Sequence, residues 1–112
     1  MRGIKIMVCC LVFVLAASLG LAQKGKTKGE AAKGKELFEQ CGVCHNADSE
    51  EKKMGPGLKG LFKRTTFADG KTKVTEETVR AKVNAGGNGM PAYQEMLNDE
   101  ERDHLIAFLK TL

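Results

Sequence analysis

The chain has 112 residues, 18 Lys and Arg against 14 Asp and Glu, a formal net charge of +4 and four cysteines. That length holds one small domain of roughly 100–200 residues and excludes a large catalytic scaffold such as an eight-stranded α/β barrel or a two-domain dinucleotide-binding enzyme. At 42% hydrophobic and 29% charged it is a globular chain, but with 5% aromatic residues and no Trp it has little apolar material of its own. A disulfide, metal or cofactor is therefore expected to complete the core.

Residues 1–22, MRGIKIMVCCLVFVLAASLGLA, begin with basic Arg2 and Lys5 and continue as an apolar run from Ile6 to Leu19. Gly20 and Ala22 then stand at the −3 and −1 positions before Gln23. This is the anatomy of a secretory signal peptide and implies export to the periplasm. An uncleaved membrane anchor is the rival reading, because the run is nearly long enough to span a bilayer. Cys9 and Cys10 read as buried residues of the apolar run. Cleavage leaves Cys41 and Cys44 as the only cysteines, and two cysteines so close together are not a disulfide framework.

Residues 23–29, QKGKTKG, carry no apolar side chain and read as a flexible, solvated basic arm. Such an arm could touch nucleic acid, but an exported protein has none to meet, so no nucleic-acid partner is expected. The domain proper is residues 30–112. Residues 30–44 predict a helix, with Ala31, Gly34, Leu37, Phe38 and Cys41 on one face. Gly34 costs that helix roughly 0.5–1 kcal/mol relative to Ala, which close approach of another backbone would explain.

Residues 46–74 are rich in loop signals. Gly55, Pro56, Gly57 and Gly60 punctuate the first half, a short helical turn is expected around Leu58–Lys63, and Asp69-Gly70 marks a turn with no strand pattern beside it. A second helix is predicted over 76–85, with Thr75 as N-cap, Glu76 and Glu77 at its positive end and a stripe of Val79 and Val83. Gly86, Gly87 and Gly89 end it. The last helix is predicted over 99–111: Asn98 and Glu101 make a capping box, and Leu105, Phe108, Leu109 and Leu112 follow at helical spacing. The fold class is thus all-α, three to four helices joined by long loops. Loops of that length in so small a domain call for an organising group other than protein.

Cys41-Gly42-Val43-Cys44-His45 has the C-x-x-C-H pattern of covalent c-type haem attachment. On a helical turn, cysteines three apart put both sulfurs on one face, where they can join the two vinyl groups of one haem. His45 is then placed as the proximal iron ligand. A thioredoxin-like pair would want a βαβ context, and a zinc site would need further ligands. Beyond His45 the only histidine is His104, which stands among charged residues and reads as a surface side chain.

For a second axial ligand the chain offers Met54, Met90 and Met96. Met90 lies in Gly86-Gly87-Asn88-Gly89-Met90-Pro91-Ala92-Tyr93, where glycines allow close backbone approach and Pro91 biases Met90 to extended geometry. Met96 reads as core packing, and Met54 is too near His45 in sequence to cross to the opposite haem face. The candidate iron ligands are therefore His45 and Met90.

From about residue 30 to 112 the sequence resembles the class I cytochromes c, small soluble monohaem proteins. The resemblance rests on Gly34-Lys35-Glu36-Leu37-Phe38 before the haem motif, on Gly55-Pro56-Gly57-Leu58-Lys59-Gly60-Leu61-Phe62, on Gly89-Met90-Pro91 and on the terminal helix. It implies that the first and last helices cross, with Gly34 and Phe38 against Leu105 and Phe108. It implies that the Pro56 carbonyl receives the second ring nitrogen of His45, fixing the tautomer. It also implies a propionate partner in Arg64, for which a plain surface charge is the equal alternative.

With both axial positions filled by protein, the expected activity is one-electron transfer between redox protein partners, with no catalytic residue and no enzyme activity. A monomer is expected, meeting membranes only through its partners or an uncleaved signal segment. Lysines are spread along the chain from Lys33 to Lys82, and a basic docking face would steer acidic partners. The alternatives are a cytochrome subunit of a larger dehydrogenase or oxidase, and a haem sensor or peroxidase-like enzyme in which Met90 leaves the iron.

Overall fold

The computed structural model describes residues 29–112. The expected signal peptide, residues 1–22, and residues 23–28 of the expected basic arm lie outside the described residues. The fold is all-α: helix α1 (Ala31–Phe38), a single 3₁₀ turn (Leu61–Lys63), α2 (Glu76–Ala85) and α3 (Asp99–Leu109). Among the described residues the only β pairing is two isolated bridges, Thr66 with Lys73 and Gly87 with Met90.

The capping chemistry sets the helix starts. Thr75 accepts from the Thr78 amide while the Thr78 side chain returns to the Thr75 amide, so α2 begins where its cap requires. Asn98 and Glu101 make the same reciprocal pair at the start of α3, with Asp99, Glu100 and Glu101 in its electropositive first turn. The C-terminal ends of α1 and α3 are shorter than the periodicity predicts, while α2 ends at Ala85 as expected. The regular part of α1 stops at Phe38: Glu39 N turns back to Glu36 O, and beyond it Phe38 O and Cys41 O each receive amides both three and four residues on, which winds the chain into successive turns. Helix α3 likewise closes at Leu109, with Thr111 N turning back to Phe108 O.

Helices α1 and α3 form the main interface, and α2 packs more lightly on α3. The expected crossing is present. A Cβ at Gly34 would overlap the His104 carbonyl oxygen and fall 2.7 Å from the Phe108 Cβ, and the Phe38 and Phe108 rings lie 5.2 Å apart. The close approach offsets what Gly34 costs the helix. The core is Phe38, Leu61, Val79, Val83, Tyr93, Leu97, Leu105, Ile106 and Leu109. Each buried aliphatic side chain stabilises the fold by about 1.5–3 kcal/mol relative to exposure. Two ion pairs, Arg80 with Asp103 and Lys110 with Glu76, join α2 to α3.

Two residues differ from expectation. His104 is buried, 6% exposed, because the chain entering α1 lies over it: the Glu30 amide donates to His104 Nδ1 at 2.8 Å, and Gly29 packs on the Asp103 backbone. That bond replaces the side-chain cap that α1 lacks. Met96 is not core packing but 59% exposed, since the turn that places Leu97 inside directs its neighbour outward. Among the described residues no helix is long and apolar enough to cross a membrane.

Candidate functional site

Two thiols and an imidazole converge on the turn that follows α1. His45 N bonds to Cys41 O at 2.9 Å and Gly42 N to Phe38 O at 2.8 Å, so residues 41–45 keep a helical pitch. Cys41 and Cys44 are free and partly covered. Burial pushes the Cys41 thiol above its ordinary range, and neighbouring Cys44 adds to the rise. Cys41 is therefore a protonated thiol near neutral pH, the form in which sulfur and hydrogen add together across a vinyl double bond.

A strap formed by residues 53–58 holds that turn. Gly55 N donates to Cys44 O at 2.9 Å, Leu58 N to Asn46 O at 2.7 Å, and Lys53 Nζ to Gly42 O at 3.1 Å. His45 Nδ1 lies 2.8 Å from Pro56 O. A carbonyl can only accept, so Nδ1 carries the proton and Nε2 keeps its lone pair for a metal. Gly55 is required here: a Cβ would overlap the imidazole ring. Sequence reasoning read Gly55 only as loop punctuation, although its place directly before Pro56 was the available signal.

The Met90 loop is built from four consecutive residues with positive φ: Gly86 (62°), Gly87 (108°), Asn88 (54°) and Gly89 (88°). Gly86 ends α2, and a Cβ on it would overlap the Met90 carbonyl. Gly87 and Met90 exchange backbone hydrogen bonds of 2.9 and 3.1 Å, closing the loop. Met90 is partly covered and packs against the core, whereas Met54 is 79% exposed and touches the Cys44 sulfur at 3.9 Å. Of the three methionines considered as second ligand, Met90 is thus the one directed into the fold. Tyr93 is buried with its phenol pushed up, chiefly by burial and further by Cys41 and Cys44.

Arg64 is neither a free surface charge nor in contact with a carboxylate. It is partly buried, and its Nη2 donates to Gly57 O at 3.0 Å and Lys59 O at 2.6 Å, strapping the loop before the 3₁₀ turn. Among the described residues it forms no ion pair.

The donor set fits a covalently held haem. There are two thiols at three-residue spacing, an imidazole with its tautomer fixed, and a core-facing thioether on a separate loop. Leu58, Phe62, Phe67 and Val74 fringe the core as partly covered apolar side chains that a flat apolar macrocycle would bury. Among the described residues no cluster of His, Cys, Asp or Glu competes as a metal site.

This combination defines an all-α haem-attachment domain. The cytochrome c family model matches residues 31–112, and the chain belongs to that family. Family members carry one covalently attached haem c. The chain is similar to cytochrome c2 of Blastochloris viridis, at 46% identity over 54 residues, 47% of this chain and 39% of that protein. The alignment therefore spans well under two thirds of the relative. The fold is similar to that of cytochrome c6 from the diatom Phaeodactylum tricornutum, with a TM-score of 0.58 and 26% identity over 74% of this chain and 93% of that one.

Proposed function

We propose that the protein is a soluble one-electron carrier, exported to the periplasm through residues 1–22, with a single haem c attached through Cys41 and Cys44 and ligated by His45 and Met90. The observation that carries this reading is the pairing of His45 Nδ1 with Pro56 O, which leaves Nε2 as the metal-binding nitrogen, with Met90 directed into the core on its own loop. The names of its relatives, cytochromes c2 and c6, are in keeping with it. When bound, haem supplies an iron that cycles between Fe(II) and Fe(III).

The chain's own residues set the terms of that cycle. His45 is held in one orientation by the Pro56 carbonyl and by the packing of Gly55 against its ring, so little rearrangement accompanies a change of charge. The soft Met90 sulfur favours the reduced metal, and His/Met ligation raises the reduction potential. The apolar residues around the site exclude water, which disfavours the extra charge of the oxidised form. Arg64, which forms no ion pair among the described residues, is the charge proposed to face a haem propionate. His45 and Met90 would together hold the iron and leave no substrate site on it, so the activity is carriage, not catalysis. The partners are redox proteins: an oxidase, a reductase or a dehydrogenase.

The test is the absorption spectrum of protein exported with the haem-attachment machinery, oxidised and reduced, with and without carbon monoxide. A sharp low-spin reduced spectrum unmoved by carbon monoxide is expected. A carbon monoxide shift would replace the carrier by the sensor or peroxidase-like reading, and absence of covalent haem would overturn the assignment of Cys41 and Cys44.

A further inference from the structure

The Met90 loop is soft on one side and anchored on the other. Ahead of Met90 the chain is glycine-rich with positive φ, and a side chain added at Gly89 would meet nothing within 4 Å. Behind Met90 the backbone is tied down. Tyr93 N donates to Val83 O of α2 at 3.0 Å, and Tyr93 O receives both Met96 N and Leu97 N at 3.0 Å. Besides the core packing of Tyr93 and Leu97, one charged side chain ties this turn to α3. Arg102, 9% exposed, donates through Nη1 to Leu97 O at 2.7 Å and Gln94 O at 3.1 Å, and through Nη2 to Asp99 Oδ1 at 2.6 Å.

We infer that Arg102 is the positioning residue for Met90. Its guanidinium clasps residues 94–97, the turn that follows the Tyr93 anchor, and so helps hold the methionine in place against the freedom of the glycine side. A planar fork with fixed donors can serve two carbonyls and a carboxylate at once, which a lysine ammonium on a flexible stem cannot. The bond to Leu97 O is buried, which strengthens it because that carbonyl has no water as an alternative partner, and the bond to Gln94 O is partly buried. The inference rests on Met90 being the second ligand.

The experiment compares haem-loaded Arg102→Met, Arg102→Lys, Asp99→Asn and Met90→Ala variants with the parent. The first readout is the fraction of reduced protein that takes up carbon monoxide, together with the Met–Fe(III) charge-transfer absorption. Arg102→Met is expected to raise carbon monoxide uptake by roughly fivefold to thirtyfold and to weaken the absorption band. Arg102→Lys should fall between it and the parent. Asp99→Asn leaves the two carbonyl bonds in place and should match the parent. Amide exchange on the parent is the second readout: Leu97 N–H should exchange at least about tenfold more slowly than Gly87 and Met90 N–H.

Arg102 variants that attach haem and keep the parent's helix content, absorption band and carbon monoxide response would overturn the inference. Equal exchange at Leu97 and Met90 would overturn it too, even where no Arg102 variant matures. If Met90→Ala leaves spectrum and carbon monoxide response untouched, it is the ligand assignment that fails.

Discussion

Gly34 lies directly on the backbone carbonyl of His104, so close that a Cβ at position 34 would overlap that oxygen. The two helices that cross here, α1 and α3, make the largest interface in the described chain. Helix propensity alone says that Gly34→Ala should stabilise by about 1 kcal/mol. Packing says the opposite, because the obstructing atom is main chain and cannot rotate away. The expected outcome is a net loss of about 3 kcal/mol in guanidinium unfolding, with haem still attached. A gain in stability would mean that the helices cross farther apart than this geometry requires.

Met54, Met90 and Met96 offer a direct contrast. Replacing Met90 by Ala should lower the midpoint potential and let carbon monoxide reach the reduced iron. Met54→Ala and Met96→Ala should leave both unchanged, because those side chains stand 79% and 59% exposed. Potentiometry on the three variants checks this. A drop in potential for Met54→Ala alone would move the ligand to the wrong loop and undo the assignment.

Much of this arrangement is legible in the sequence, where local chemistry decides. Thr75 and Asn98 cap helices because their side chains meet amides three residues on, a relation set by the chain itself. The C-x-x-C-H spacing and the Gly-Met-Pro segment are local in the same sense. What is not legible depends on distant backbone. His104 lies among Asp103, Arg102 and Glu101, and nothing near it says that Gly29 and Glu30 will come to cover it. Arg102 likewise reads as one more charge on a charged helix, since its partners Gln94 and Leu97 offer carbonyls, which leave no trace in side-chain pattern. Helix α1 reads too long for a related reason. The apolar face continues through Cys41, but beyond Phe38 the backbone bonds gather on Phe38 O and Cys41 O in mixed three- and four-residue spacing instead of an unbroken ladder.

The loop between the 3₁₀ turn and α2 turns on Asp69. Its carboxylate receives the amides of Lys71 (2.8 Å) and Thr72 (2.9 Å) and the Thr72 hydroxyl (2.5 Å). These bonds, the Thr72 hydroxyl first, hold its pKa at about 2, against 3.8 for an ordinary aspartate. A value depressed in the folded state means that the unfolded chain takes up the proton first. The carboxylate therefore stabilises the fold above pH 3.8, and that contribution fades as pH falls toward 2. Asp69→Ala should be less stable than the parent at neutral pH, with the pH-dependent part of the gap closing over that window. Urea midpoints measured along a pH series check it, and a gap that widens on acidification would contradict the turn's role.

His104 closes the start of α1. Its Nδ1 accepts the Glu30 amide at 2.8 Å, so the neutral ring carries its proton on Nε2, which faces the Glu100 carboxylate at 3.6 Å. Replacing His104 by Leu keeps much of the buried bulk but leaves the Glu30 amide without an acceptor at a helix end that has no side-chain cap. The expected cost is about 1–3 kcal/mol. Gln offers a carbonyl oxygen on a chain of similar reach, and His104→Gln should recover part of that loss. Fraying should begin at α1, so amide exchange ought to quicken at Lys33 and Gly34 before it does in α2. Equal stability of parent, Leu and Gln forms would mean that water serves the Glu30 amide as well as the imidazole does, and that the chain entering α1 is held by the packing of Gly29 on Asp103 alone.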